Sequence, residues 1–163
     1  MREKEVLDSL ESKGLTLGSV ESLTGGLFAS SICSIPGASK VFKGSIVTYS
    51  NEEKVALVGV KQSVIDEDGV VSEEVASEMA LGGLVALNVD VCVSFTGNAG
   101  PTAEPGEAKV GEVYMSLALS EKVTGKKTIC ENFHRIFNGE RNAIRAGSVD
   151  YMLRQIIDTM QSF

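Results

Sequence analysis

A serine followed by two glycines is the first feature of this sequence that suggests chemistry. Ser22 comes directly after a β-prone apolar stretch (15–20), and Gly25 and Gly26 precede an apolar stretch with helical spacing. We expect Ser22 at a strand-to-helix corner, with Thr24 and the two glycines in the first helical turn. Unpaired N–H groups at a helix N-terminus attract negative charge, including the oxyanion formed when a serine attacks a carbonyl. The same residues also fit a simple helix cap with glycines that ease packing.

Lys54 is the second candidate for chemistry. The stretch 50–53 (Ser-Asn-Glu-Glu) matches a capping box, so Lys54 falls in the first turn of a short helix. A cation there lies against the helix dipole, which lowers the cost of losing its proton, as a general base requires. Tyr49 ends the preceding strand, and we expect it to orient Lys54 or to relay a proton. The alternatives are a surface lysine neutralised by Glu52 and Glu53, and a tyrosine that only has an amphipathic strand-end role.

Two more segments fit a crevice at the carboxyl edge of a sheet. A loop after a buried apolar strand supplies candidate binding residues: Thr96, Gly97, Asn98, Ala99 and Gly100. Glycines in such a loop expose N–H groups to an anion, although a plain turn before Pro101 explains them equally well. Arg141 and Arg145 are one helical turn apart, and we expect them to hold a phosphate. Taken singly, each is more commonly a solvated helix charge.

Composition limits the class of protein. The 163 residues are 43% apolar and 23% charged, which predicts a single globular domain that spans residues 1–163. The net charge of −7 argues against a nucleic-acid-binding surface, and no apolar run reaches membrane-spanning length. We therefore expect neither nucleic acid nor membrane as a partner. The N-terminus does not resemble a signal peptide, so the predicted compartment is the cytoplasm.

The cysteines and the single histidine point away from metal and disulfide chemistry. Cys33, Cys92 and Cys130 are odd in number, widely spaced and in apolar contexts, as expected for reduced core thiols. His134 is the only histidine, so a zinc centre or a Ser-His triad would rest on it alone. Its expected place is near a strand end.

Strand and helix patterns alternate along the chain, and an antiparallel pair of strands follows late. The predicted strands are 15–20, 41–50, 89–96, 110–119 and 123–133, with helices at 2–13, 22–35, 72–88 and from about 139. A loop is expected around 66–69. This order predicts an α/β fold: a three-layer α/β/α sandwich on a mixed sheet with a late antiparallel hairpin.

Taken together, these segments resemble the CinA C-terminal domain family, whose active members are nicotinamide-nucleotide amidases of the PncC type. The resemblance covers nearly the whole chain. Full-length CinA proteins have an additional N-terminal domain, and this sequence resembles the stand-alone form of the family, without that domain. Its markers, in order, are the stretches 21–26, 44–54, 69–72, 96–101, 110–114 and 139–141. Two positions depart from the family pattern. Leu23 stands where a small residue is usual, and Asn98 stands where an apolar residue is usual.

The resemblance implies hydrolysis of nicotinamide mononucleotide to nicotinate mononucleotide and ammonia, within pyridine-nucleotide salvage. It implies that Ser22 attacks the amide, that Lys54, tuned by Tyr49, takes the proton, and that N–H groups between Thr24 and Gly26 hold the oxyanion. It also implies a small-molecule nucleotide substrate, no metal or organic cofactor, and a homo-oligomer such as a dimer. One alternative is a catalytically silent nucleotide-binding or regulatory module of the same fold. Another is an amidase that acts on a related pyridine or nucleoside amide.

Overall fold

A five-stranded sheet runs through the centre of the computed structural model, which describes residues 1–163. The helices and strands follow one another in this order: α1 Arg2–Ser12, β1 Leu17–Glu21, α2 Leu27–Cys33, β2 Phe42–Val47, α3 Asn51–Val58, α4 Gln62–Asp68, α5 Glu73–Leu87, β3 Val91–Gly97, β4 Glu112–Leu119, α6 Glu121–Thr124, β5 Ile129–Ile136 and α7 Arg141–Met160. A 3-10 turn at Ala38–Lys40 precedes β2. None of the helices combines the length and the apolar composition needed to cross a membrane.

The sheet is mixed and has the order β2-β1-β3-β4-β5. Strand β1 pairs in parallel with both β2 and β3, whereas β4 and β5 are antiparallel to their neighbours. Three parallel strands therefore end at the same edge of the sheet, which is where open α/β folds bind ligands. The predicted α/β fold with a late antiparallel hairpin is confirmed.

Helices cover both faces of the sheet and divide the core in two. The larger apolar cluster lies under α1, α2 and α7, and the smaller one lies under α3, α4 and α5. Alternate residues of β1 face opposite clusters, as the two-residue period of a strand requires. Val20 belongs to the α5 side, while Leu17 belongs to the α2 side.

The local signals for helix ends are confirmed where side chains cap the backbone. The Ser50 side chain accepts a hydrogen bond from the Glu53 N–H at 3.2 Å, which starts α3 as the capping pattern predicts. Ser72 caps α5 in the same way through the Val75 N–H. Gly14 has a φ of +66° just after α1, a conformation that glycine adopts without strain.

Several local predictions are wrong. Helix α4 extends to Asp68 and so covers most of the segment 66–69 that was expected as a loop. The connection between β4 and β5 contains α6, so β5 begins at Ile129 rather than near residue 123. The apolar spacing of the helix at 72–88 predicts Leu81 as a core residue, but Leu81 is 36% exposed because it lies on the outer face of α5. Cys33 is exposed and Cys130 is half-buried, so only Cys92 is a fully buried thiol. Short helices have too few residues to show a period, which explains why α4 and α6 are missed.

Gly82 lets α5 approach α3, the helix that carries Lys54. A Cβ atom at Gly82 would lie 1.9 Å from the carbonyl oxygen of Val58. We expect Gly82→Ala to lower the free energy of unfolding by about 2 kcal/mol, because the helices must separate and the core loses packing. Urea denaturation measures the change. Val85→Ala is the matched control, since Val85 lies on the same helix and is 82% exposed. Equal stability of the two variants would contradict the close contact.

Candidate active site

Ser22 and Lys54 meet at the carboxyl edge of the parallel strands. The Lys54 Nζ lies 3.1 Å from the Ser22 Oγ and donates a hydrogen bond to the Thr48 carbonyl at 2.8 Å. Ser22 is fixed in turn, because its N–H donates to the Phe95 carbonyl on the neighbouring strand β3 at 3.0 Å. Lys54 is 1% exposed and Ser22 is 9% exposed. A serine hydroxyl within hydrogen-bond reach of a buried amine is the arrangement that an activated nucleophile needs.

Burial changes the acidity of Lys54. Removal from water lowers the pKa of its ammonium group from 10.5 to about 8, and Glu52 has a smaller opposite effect. Ion pairing does not offset this cost, because no carboxylate lies within ion-pair distance of Lys54. The sequence predicted an easily deprotonated lysine from the helix dipole, whereas burial is the main cause in the structure. The surface-lysine alternative is therefore excluded.

The segment after Ser22 is a turn and not the first turn of a helix, which corrects the sequence prediction. Helix α2 begins at Leu27, and both Gly25 and Gly26 have positive φ angles, +57° and +99°. The Gly25 N–H donates to the Ser22 carbonyl at 3.0 Å, and the Leu27 N–H donates to the Thr24 carbonyl at 3.0 Å. Two successive turns thus link β1 to α2, and they need the glycines for backbone conformation.

The N-terminus of α2 already holds an anion, the side chain of Glu21. This carboxylate is fully buried and accepts hydrogen bonds from the Phe28 N–H at 2.9 Å and the Ala29 N–H at 3.1 Å. The hydroxyls of Ser19 and Ser45 also donate to it, each at 3.0 Å. The helix end is therefore closed to a substrate oxyanion, contrary to the sequence prediction.

Three backbone N–H groups close to Ser22 have no acceptor within the protein: those of Leu23, Thr24 and Gly26. The N–H of Leu23 donates to no acceptor within the protein, and Leu23 lines the cavity that contains Ser22 and Lys54. By contrast, Thr24 is fully buried, and neither it nor the two glycines after it line the cavity. The N–H of the residue after a nucleophile is a common oxyanion donor. The sequence prediction placed the oxyanion donors at 24–26, whereas among residues 23–26 only Leu23 lines the cavity.

The cavity at Ser22 has a volume of about 250 Å³. Its wall is built by residues from four loops, two helices and the end of strand β3: Ser22, Leu23, Tyr49, Asn51, Lys54, Val70, Val71, Thr96, Gly97, Asn98, Ala99 and Arg141. The structure thus brings together both members of the Ser–Lys pair with Tyr49, Arg141 and four of the five predicted residues of the loop after β3. Gly100 lies outside the wall but accepts a hydrogen bond from Arg141 through its carbonyl oxygen.

Tyr49 contacts Arg141 and makes no hydrogen bond to Lys54. The Tyr49 hydroxyl accepts from Arg141 Nη2 at 2.9 Å, and 60% of the tyrosine is exposed at the mouth of the cavity. The Thr48 carbonyl, not Tyr49, orients the lysine. The place predicted for Tyr49 is correct, but its partner is a different cation.

Arg145 does not reach the cavity. Its guanidinium donates from Nε to the Leu23 carbonyl at 3.0 Å and from Nη2 to the Thr24 carbonyl at 2.8 Å. The expected bidentate grip of two arginines on one phosphate is therefore absent, because these donors of Arg145 bind the backbone behind the nucleophile. Arg141 alone lines the cavity.

The loop after β3 is held by its own side chains. The Asn98 amide donates to the carbonyls of Thr102 and Ala108 at 3.1 and 3.0 Å, and its oxygen accepts from the Gly100 N–H at 2.8 Å. Thr96 donates its hydroxyl to the Val70 carbonyl at 2.8 Å. Asn98, a candidate binding residue that departs from the family pattern, thus uses its side-chain amide to hold the loop in shape.

A second cavity of about 500 Å³ adjoins the first and shares Val70, Val71, Gly97 and Asn98 with it. Its charged residues are all acidic: Asp68, Glu104 and Glu107. Like charges repel, so a phosphate is expected on the Arg141 side of the joint space and not in the second cavity. No three histidine, cysteine or carboxylate side chains converge as metal ligands anywhere in the structure.

Sequence reasoning missed three parts of the wall. Asn51 was considered only as part of a helix cap, and Val70 and Val71 only as a family marker. The Leu23 backbone was missed because a backbone donor leaves no signature in residue type. The family marker at 69–72 was the one signal in the sequence that could have identified Val70 and Val71 as part of the site.

Comparison with known proteins identifies the family. Residues 1–160 match the family model described as the CinA C-terminal domain. The chain belongs to the CinA family. A CinA-like protein of Kosmotoga olearia is 43% identical over 143 residues, which is 88% of this chain and 33% of that protein. A CinA-like protein of Petrotoga mobilis is 39% identical over 156 residues, covering 96% of this chain and 37% of that protein. This chain therefore spans about a third of the length of these curated relatives.

A solved structure shows the same fold. The CinA superfamily protein KP700603 of Klebsiella pneumoniae 700603 superposes with a TM-score of 0.92 at 23% identity, over 99% of this chain and 97% of that one. The resemblance inferred from the motifs is thus confirmed at the level of family and fold.

The shifted acidity of Lys54 makes stability depend on pH. Lysine in the unfolded chain titrates near 10.5 and Lys54 in the folded protein near 8, so between these values the unfolded state binds more protons and stability rises with pH. Below about 8 both states are protonated, and burial of the charge has its full cost. We expect Lys54→Met to raise the free energy of unfolding near pH 7 by up to about 3 kcal/mol, with a gap that closes towards pH 10.

Urea denaturation across this pH range measures the gap. Lys61→Met is the matched control, because Lys61 is exposed and should show no such trend. A gap that stays constant with pH would contradict a depressed pKa for Lys54.

Proposed function

We propose that this protein hydrolyses a carboxamide through a serine acyl-enzyme, with nicotinamide mononucleotide as substrate. The observation that carries the proposal is the buried Lys54 amine, 3.1 Å from the Ser22 hydroxyl, in a cavity that is also lined by Leu23, whose backbone N–H has no acceptor. Such a pair supplies a nucleophile and a base without a histidine, and the one histidine, His134, is instead paired with Glu112 at 2.9 Å. The products are nicotinate mononucleotide and ammonia.

Acylation follows from the positions of the side chains. Neutral Lys54 accepts the Ser22 proton at Nζ while Oγ forms a bond to the amide carbon. The carbonyl electron pair moves to oxygen, where the Leu23 N–H donates to the oxyanion. The Lys54 ammonium then gives its proton to the amide nitrogen, the C–N bond breaks, and ammonia leaves.

Deacylation uses the same groups in reverse order. Water attacks the ester carbon while Lys54 accepts the proton of the water. The tetrahedral intermediate collapses, Lys54 returns the proton to the Ser22 oxygen, and the carboxylic acid product leaves and loses its own proton to water. A pKa of about 8 leaves a tenth or so of the lysine neutral near pH 7, enough to act as a base without a metal-bound water.

Charge supports a nucleotide as substrate. Arg141 is the exposed cation at the mouth of the cavity, and Tyr49 and the Gly100 carbonyl hold it in place. A phosphate on Arg141 leaves the ring carboxamide to reach the Ser22 end. The acidic second cavity repels phosphate, so it favours the same orientation.

Ammonia release from nicotinamide mononucleotide tests the reaction. We expect release that rises with pH and levels off above about 8, because Lys54 must lose its proton. Ser22→Ala should remove the activity, and Ser30→Ala should keep it because Ser30 is exposed on α2. Release that survives Ser22→Ala would exclude the acyl-enzyme. Binding of the nucleotide without release would favour the silent binding module, and release from a different amide would favour the related amidase.

Tyr49→Phe separates two roles for the tyrosine. Its hydroxyl contacts only Arg141, so we expect KM for the nucleotide to rise about five-fold, the equivalent of about 1 kcal/mol, with an unchanged pH midpoint. Steady-state kinetics at several pH values measure both quantities. A shifted midpoint with a lower kcat would show instead that Tyr49 tunes Lys54, as the resemblance implies.

A further inference from the structure

Arg145 directs its donors at the backbone beside the nucleophile. It is half-buried in the second turn of α7, and its donors reach the carbonyls of Leu23 and Thr24. Nη1 donates to the Asn142 side chain at 3.0 Å. No carboxylate lies within ion-pair distance of this guanidinium. The cation is thus held by neutral carbonyl and amide oxygens.

Two peptide groups connect this arginine to the unpaired N–H of Leu23. In a planar trans peptide the carbonyl and the N–H point in opposite directions. The Thr24 carbonyl, which accepts from Arg145, shares its peptide with the Gly25 N–H, and that N–H donates to the Ser22 carbonyl. The Ser22 carbonyl shares its peptide with the Leu23 N–H, which has no acceptor in the protein. The chain of hydrogen bonds therefore runs from the guanidinium to the predicted oxyanion donor.

Such a chain fixes the donor and strengthens it. Each hydrogen bond polarises the next, by about 10–30% per bond. A cation at the start pulls electron density along both peptides, so the last N–H becomes a better donor. The second contact, from Nε to the Leu23 carbonyl, holds the peptide between them and prevents the turn from rotating. A planar guanidinium can bridge two carbonyls, whereas a lysine ammonium is a point charge on a flexible stem.

We infer that Arg145 is a positioning residue for acyl transfer: through the Ser22–Gly25 turn it aims and polarises the Leu23 N–H at the oxyanion, without contacting substrate. This inference rests on the proposed amide hydrolysis. It assigns different tasks to the two arginines of α7, because Arg141 faces the cavity and Arg145 faces the backbone behind it.

The kinetic effects of the two arginines should therefore differ. An interaction made only in the transition state lowers kcat, whereas loss of a phosphate contact raises KM. We expect Arg145→Ala to lower kcat about 100-fold with KM within about two-fold of the wild-type value, in the range found when one oxyanion donor is lost. Arg145→Lys should lose about ten-fold in kcat, because one amine cannot hold both carbonyls.

Three further readouts separate positioning from a general loss of structure. Guanidinium ion at a non-denaturing concentration should restore part of the kcat of Arg145→Ala, by occupying the vacated site. The pH midpoint of activity should stay near 8, because Lys54 is unchanged. Arg154→Ala is the matched control: Arg154 lies on the same helix, 55% exposed and paired with Asp150, so kcat should be unaffected.

A covalent probe makes the test independent of the nucleotide. An organophosphonate that labels Ser22 places its phosphoryl oxygen where the oxyanion forms, so labelling of Arg145→Ala should slow about as much as kcat. If the wild-type protein labels but releases no ammonia from nicotinamide mononucleotide, the proposed substrate is wrong, and the labelling rates alone decide the role of Arg145.

Four results would overturn the inference. A raised KM with wild-type kcat would make Arg145 a phosphate-binding residue. Unchanged labelling and turnover in Arg145→Ala would remove any role in the reaction. Absence of guanidinium rescue together with a lost thermal transition would reduce Arg145 to a folding role. A wild-type protein that neither labels nor turns over would reject both the nucleophile and its positioning residue.

Discussion

The burial of one amine, Lys54, is the constraint on which the rest of the site depends. A lysine that is 1% exposed loses most of its hydration, and no carboxylate compensates for it. The Thr48 carbonyl and the Ser22 hydroxyl are its polar partners. Burial leaves an amine with a pKa of about 8, which gives up its proton close to neutral pH.

A second buried ionisable residue, Glu21, lies at the end of β1. Glu21 precedes the nucleophile and binds β1, β2 and the start of α2 together through two backbone N–H groups and two serine hydroxyls. Buried carboxylates persist only with such partners. By filling the helix N-terminus, Glu21 removes the usual anion site and leaves the turn after Ser22 as the place for an oxyanion.

The two arginines of α7 show how one helix can serve a site twice. Arg141 meets Tyr49 at the mouth of the cavity, and Arg145, one turn later, meets the backbone of the Ser22 turn from behind. In the proposed reaction, these two arginines would divide substrate binding and transition-state stabilisation along a single helix face. The acidic residues of the second cavity would repel a phosphate group, so they would favour one orientation of a bound nucleotide.

The sequence by itself determined the α/β alternation, the place of Ser22 at the end of β1 and the cap at Ser50, because period, capping and turn residues act within a few positions. Motif order also identified the family. Only the tertiary structure decided that Lys54 is buried, that Arg145 faces backbone and that Leu23, whose N–H is unpaired, lines the cavity. These properties depend on contacts such as Ser22 with Lys54, 32 residues apart, and Arg145 with Leu23, 122 residues apart. Local patterns contain no information on which distant element supplies a partner or excludes water.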